Sequence, residues 1–157
     1  MISAIDTNIL LDILFPQTAY SRSSKVLLDE ALAAGSLVVC ESVYAEVACQ
    51  FPSVAELDAF LGYTGIKLLP SVVQTLQTAS FAWKKYASKR DNLLQCANCG
   101  QAQEVRCQNC NAVITSRQHM VSDFLIGAHA MVQADCLLSR DRGFYHTYFP
   151  DLRLYTG

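Results

Sequence analysis

The sequence predicts an α/β fold of three layers, with helices covering both faces of a parallel central sheet. Two observations carry this expectation. Short apolar runs alternate with longer segments of helical period, the rhythm of strands joined by crossover helices. Of the 157 residues, 52% are hydrophobic and 17% charged, which suits one domain with a sizeable buried core. Only residues 92–116 break the rhythm. The chain is therefore expected to be a single domain, 1–157, interrupted by an insertion at 92–116.

Residues 1–5 form the first apolar run, ending at Asp6. Residues 7–14 follow as a helix with Ile9, Leu10, Ile13 and Leu14 on one face, stopped by Pro16. Residues 21–34 make a second helix, with Val26, Leu27, Ala31 and Ala34 expected inward and Gly35 past its end. A strand at 37–40 leads to helices at 42–51 and 53–63, the latter opened by Ser53 and Glu56 in capping-box spacing. A strand at 66–69 closes at Pro70, and 72–90 reads as a long helix. Beyond the insertion come a helix at 123–132, a strand at 136–138, a short helical turn at 142–146 and a last strand at 152–155.

No apolar run reaches the length of a membrane span. The opening residues lack the basic flank and apolar stretch of a signal peptide, so a cytoplasmic location with reduced thiols is expected. A net charge of −2 argues against a general nucleic-acid binder, which is usually basic. That argument weakens where carboxylates gather at a metal, because the cation reverses the local field.

Ligands in such sheets bind beyond the carboxyl ends of the strands. Asp6 follows the first strand there, and Asp141 follows a later one in Leu137-Leu138-Ser139-Arg140-Asp141. Glu46 and Asp123 fall near helix starts. Four carboxylates converging on one pocket would repel each other unless hard cations sat between them. Oxygen ligation favours Mg²⁺ or Mn²⁺, and a pair of such ions suits phosphodiester cleavage. Each acid also has a plainer reading. Asp6 could be a helix cap, Asp123 could answer the helix dipole, and Glu46 could be solvated, with Glu41 competing on the same segment.

Taken in order, Asp6-Thr7-Asn8 with Ile9-Leu10-Leu11, then Glu46, then Asp123 with Ile126-Gly127-Ala128, then Ser139-Arg140-Asp141-Arg142-Gly143-Phe144, resembles the PIN domain. The likeness is greatest to the VapC-type toxin ribonucleases and spans nearly the whole chain outside the insertion. It implies a metal-dependent endoribonuclease in which Asp6, Glu46, Asp123 and Asp141 hold Mg²⁺ or Mn²⁺, with Asn8 and Ser139 as polar supports. It also implies an RNA substrate and a homodimer, and it raises a protein antitoxin as partner. The insertion before Asp123 departs from the pattern. A haloacid-dehalogenase phosphatase also starts with Asp after the first strand, but it needs a second Asp where this chain has Asn8.

Of seven cysteines, four form two CxxC pairs, Cys96/Cys99 and Cys107/Cys110, seven residues apart. Four thiolates in tetrahedral array select zinc, and Gly100 and Asn111 suit the tight turns of a metal knuckle. Redox chemistry, disulfides and an iron–sulfur cluster are the alternatives. A closed four-thiolate shell would make the zinc structural and the source of the insertion's stability. Cys40, Cys49 and Cys136 read as small buried hydrophobes.

Lys84, Lys85, Lys89 and Arg90 precede the insertion, Arg106, Arg117 and His119 lie in or near it, and Arg140 and Arg142 flank Asp141. Of these, Lys84, Lys85, Arg106, Arg117, Arg140 and Arg142 are the candidate contacts to RNA phosphates; the plainer reading is solvation. The insertion is expected to shape one wall of the active site, or else to sit on a far surface and mediate dimer or antitoxin contacts. Against the enzyme stands one other reading, an inactive scaffold that binds nucleic acid or protein through its zinc knuckle.

Overall fold

The computed structural model describes residues 1–17, 19–89, 93–95, 102–114 and 120–155. Its elements run β1 (Ile2–Ile5), α1 (Thr7–Leu14), α2 (Ser21–Ala34), β2 (Ser36–Val39), α3 (Glu41–Ala48), α4 (Val54–Thr64), β3 (Ile66–Leu68) and α5 (Val73–Lys89). Then follow β4 (Leu94–Gln95), β5 (Ala102–Gln103), α6 (Val121–Gln133), β6 (Cys136–Leu138) and α7 (Arg142–Tyr148).

The main sheet is parallel, in the order β3-β2-β1-β6. Ala4, Ile5, Leu37, Val38, Val39, Cys136, Leu137 and Leu138 are all buried, as strands covered on both faces require. From β1 the chain moves outward through β2 and β3, then returns to the other side of β1 as β6. Right-handed crossovers therefore place α1, α2 and α4 on one face and α5 and α6 on the other. α3 packs against both α1 and α6 and so bridges the two layers. The reversal between β1 and β6 is a topological switch point, where such sheets open a crevice at their carboxyl ends.

Phe124 fixes α6 in place. Its ring lies 5.3 Å from Trp83 of α5, 5.0 Å from Phe144 and 5.2 Å from Tyr148 of α7, all in edge-on contacts. Gly127 lies on the same helix where no side chain fits, since a Cβ there would stand 2.5 Å from the ring of Phe149.

Several sequence expectations need correction. On α2 the buried residues are Ser24, Leu28 and Ala31, while Val26 and Ala34 are exposed. The rotation is set by a buried bond from Ser24 Oγ to Asp12 Oδ2 of α1 at 2.7 Å, which apolar periodicity does not reveal. Gly35 does end α2, as expected. Its φ is 161°, in the extended range, and glycine is needed because a Cβ would stand 1.9 Å from the Met1 carbonyl oxygen. The last strand shrinks to a single parallel bridge, Leu137 to Leu154, with Tyr155 N donating to Leu137 O at 2.9 Å. Cys40 and Cys136 are buried as expected, but Cys49 is exposed at the end of α3.

In the described part of residues 92–116, β4 and β5 pair antiparallel. A second hairpin follows, with Arg106 bridged to Val113 and Cys107 N donating to Ala112 O at 2.9 Å. Its turn carries Asn111 in the left-handed region at φ 57°. Cys96, Cys99, Gly100, Arg90, Arg117 and His119 lie outside the described residues. No helix among the described residues is long and apolar enough to cross a membrane.

Candidate active site

Asp6 stands at the carboxyl end of β1, at the switch point beside β6. Register sets it there: Ile5 pairs with Leu138, and the Asp6 amide donates to Leu138 O at 3.0 Å, which brings residue 139 alongside. Asp6 stands at the N-cap position of α1, yet its side chain makes no cap bond. The helix-cap explanation of this acid is thereby removed. Its Oδ2 instead accepts from Asn8 Nδ2 at 2.6 Å, Ser139 Oγ at 2.5 Å and Tyr145 Oη at 3.3 Å. The residue is only 7% exposed. Burial raises its pKa above the usual carboxylate range, and the charge of Asp123 adds to that; the bonds from Ser139, Tyr145 and the Asn8 backbone work against it.

The supports are themselves tied together. Asn8 Nδ2 also reaches Ser139 Oγ at 3.1 Å, and Asn8 Oδ1 accepts from the Arg140 amide at 3.2 Å. Ser139 Oγ in turn accepts from the Asp141 amide at 3.0 Å. Tyr145 is buried, and its phenol is pushed well above the ordinary range, first by desolvation and then by the charges of Asp6, Asp123 and Asp141 and its bond to Asp6. One hydroxyl thus feels three of the four candidate acids.

The remaining acids differ in what else they do. Asp123 Oδ2 accepts from the Met120 amide at 2.8 Å, which starts α6 two residues before the expected position. Asp141 is exposed, and its Oδ1 caps α7 by accepting from Phe144 N at 3.1 Å. Glu46, half-buried on α3, accepts a short hydrogen bond from Thr7 Oγ1, one residue beyond Asp6. Glu41 stands elsewhere: Ser71 N and Oγ donate to it at 3.0 and 2.9 Å, and its pKa is held down because its own backbone N–H, these two bonds and the charge of His129 together outweigh burial. Among the described residues, Asp6, Glu46 and Asp141 have no ion-pair partner. Nor do three His, Cys, Asp or Glu side chains gather there as a ready-made metal cage.

Thr7, Tyr145 and Asp12 were missed in the sequence. Thr7 sits in the very motif that drew attention to Asp6. Tyr145 follows Arg142-Gly143-Phe144, whose helical pattern says only that one face is buried. The basic candidates are scattered. Lys84, Lys85 and Arg142 are exposed. Arg106 is bonded within its hairpin, to Glu104 at 2.7 Å and to Asn111 O at 3.1 Å. Arg140 is paired with buried Asp12 at 2.7 Å.

The fold is the PIN-like α/β fold of two solved structures. A chain in the crystal structure of VapBC2 from Rickettsia felis, bound to a DNA fragment from their promoter, superposes with a TM-score of 0.56 at 15% identity, over 98% of this chain and 97% of that one. A chain of VapBC-1 from nontypeable Haemophilus influenzae gives a TM-score of 0.62 at 15% identity, over 98% and 96%. No protein-family model matches the sequence, and no curated protein matches it.

Proposed function

We propose that the chain is a metal-dependent endoribonuclease, and that it is the toxin of a toxin–antitoxin pair. The observation that carries the reading is Asp6: a buried carboxylate at the switch point, not spent on a helix cap, with Asp123 close enough to disfavour its ionised form. The fold shared with the VapBC chains supports it. A group so placed fits a cation. Mg²⁺ and Mn²⁺ are commonly held through one or two carboxylates and water and completed by substrate phosphate, so a full protein cage is not required.

In this reading Asp6, Asp123 and Asp141 hold the metal, and Glu46 completes the site directly or through water. The bound ion supplies activation of water and charge relief at the scissile phosphate. Asn8, Ser139 and Tyr145 each donate to Oδ2 of Asp6, which pins its carboxylate and leaves Oδ1 without a side-chain donor among the described residues. Thr7 orients Glu46 through its hydroxyl. The protein partner is an antitoxin, and the active form is a homodimer. In the insertion, Cys96, Cys99, Cys107 and Cys110 bind one structural Zn²⁺. The Cys107 sulfur already takes N–H donors from Cys110 and Asn109, which lower its pKa as a metal-binding thiolate requires.

The test is cleavage of single-stranded or structured RNA with Mn²⁺ or Mg²⁺. Activity should vanish with EDTA and in Asp6→Asn and Asp141→Asn, with circular dichroism unchanged. Normal cleavage by both variants would falsify the assignment.

A further inference from the structure

Arg140 lies between two residues of the candidate site, yet its side chain is committed elsewhere. Its Nε pairs with Asp12 Oδ2 of α1 at 2.7 Å. That Asp12 side chain is only 3% exposed, and the same oxygen accepts Ser24 Oγ of α2 at 2.7 Å. The guanidinium lies 4.5 Å from the ring centre of Tyr20, the residue that precedes α2. The backbone of residue 140 is held as well, its amide donating to Asn8 Oδ1 at 3.2 Å.

An exposed ion pair on a loop would be worth little. This one differs because one partner is buried, so separating the two leaves the Asp12 carboxylate inside the protein without the guanidinium. Residue 140 is thus anchored to α1 by its side chain and its amide, and to α2 through Tyr20 and Ser24. Its neighbours inherit that constraint. Ser139 is left with Oγ at 2.5 Å from Asp6, and the Asp141 amide with Ser139 Oγ at 3.0 Å.

We infer that Arg140 is a positioning residue: through Asp12 it latches the 139–141 turn onto α1 and α2 and so fixes Ser139 against Asp6. The inference deepens the nuclease reading and rests on it for its effect on catalysis. It replaces the expectation that Arg140 grips RNA phosphate. The planar group suits this task better than an ammonium, because it can stack on Tyr20 while its edge meets the carboxylate.

Arg140→Met alone would strand the Asp12 charge and could weaken the whole fold. The informative variant is Asp12→Asn/Arg140→Met, which removes both charges while the new amide oxygen can still accept from Ser24 Oγ, with Arg140→Lys beside it. Three quantities are measured: amide hydrogen exchange at residues 140, 141 and 142, Mn²⁺ affinity by calorimetry, and kcat and KM on RNA. The double variant should melt near the wild type yet exchange faster at those amides. Its Mn²⁺ affinity should fall by about tenfold or more, as loss of an outer support usually does. Its kcat should fall by as much as ~100-fold with KM little changed, the signature of a displaced group rather than a lost contact. Arg140→Lys should recover part of the protection and part of the rate. Wild-type exchange, Mn²⁺ affinity and kcat in the double variant would overturn the latch. So would a rise in KM and a changed salt dependence with kcat intact, which would make Arg140 a phosphate contact. Should the wild type neither bind Mn²⁺ nor cut RNA, the nuclease reading fails, and the exchange measurement alone decides the latch.

Discussion

Ser139 Oγ donates to Asp6 Oδ2 at 2.5 Å, joining the ends of two strands that are neighbours in the sheet but 133 residues apart in the chain. The bond exists because β1 and β6 are parallel and in register, so both strands deliver their following residue to the same crevice. The same pairing brings in Asn8 from α1, and α7 then adds Tyr145. Three donors on one oxygen orient a carboxylate whose ionisation burial still disfavours on balance.

Asp6→Asn should therefore raise stability while removing activity. Ionisation of the buried Asp6 side chain carries a desolvation cost that a neutral amide avoids. An asparagine can keep its oxygen in the Oδ2 place, where the donors of Asn8, Ser139 and Tyr145 remain satisfied. A melting temperature a few degrees above the wild type is expected in metal-free buffer, since about 1 kcal/mol shifts a chain of this size by ~2–4 °C. Added Mn²⁺ should raise the wild-type melting temperature and leave the variant unmoved. A variant that melts lower than the wild type without metal would show that the carboxylate is a structural group.

Gly127→Ala sets helix propensity against packing. Alanine in mid-helix would ordinarily gain about 1 kcal/mol over glycine. Here the new Cβ would stand 2.5, 2.7 and 2.9 Å from three atoms of the Phe149 ring, which is itself 2% exposed and held among other rings. Overpacking of this kind costs about 1–3 kcal/mol, so the clash should win and the denaturation midpoint should drop. A midpoint equal to or above the wild type would mean the ring moves aside freely.

These two sites show what the sequence makes legible. The strand-then-acid pattern at Asp6 is local, and α1, α2 and β6 fall where periodicity puts them. Gly127 could be seen as part of a motif, but its reason, the approach of Phe149, depends on how α6 meets the C-terminal residues. Asp12 is a single acid in an apolar helix, and nothing nearby announces Ser24 or Arg140 as its partners. The inward face of α2 departs from its apolar periodicity for the same reason: a buried polar pair sets the rotation. The C-terminal run has strand-like residues yet keeps only the pairing at Leu137.

His129 makes stability depend on pH. It is 1% exposed on α6, with Nε2 at 2.8 Å from Leu69 O, and desolvation lowers its pKa below the ordinary 6.5; the bond to Leu69 and the charge of Glu41 oppose the shift. The folded state thus resists a proton that the unfolded chain accepts. Stability is level above the unfolded value and falls as the pH drops through about 6.5, because the unfolded state then binds more protons. Urea midpoints at pH 7.5 and 5.5, each choice of pH about one unit from that value, should differ in the wild type. They should draw together in His129→Asn, which has no titrating ring. An undiminished difference in the variant would assign the pH dependence to other groups.

The hairpin at 105–114 yields the prediction about zinc. Its backbone is fixed by Ile114 N to Val105 O at 2.7 Å, Cys107 N to Ala112 O at 2.9 Å and Asn111 N to Cys107 O at 2.9 Å. Yet Val105, Arg106, Cys110 and Ile114 give it little buried surface, since all four are exposed, Ile114 at 40%. Apolar burial is therefore a weak reason for these bonds to persist in water. The N–H groups of Cys110 and Asn109 converge on the Cys107 sulfur and favour its thiolate, the form that metal captures. Protein purified without added zinc should contain about one ion per chain, the stoichiometry of a closed four-thiolate site. Cys107→Ser should lower that content and accelerate amide exchange at Cys107 and Ile114, while the melting of the α/β core stays near the wild type. Stripping the metal with a chelator should reproduce the effect of the variant, and restoring Zn²⁺ should reverse it in the wild type only. If the purified protein holds no tightly bound metal, and the hairpin amides are equally protected before and after chelation, the four cysteines are not a zinc site.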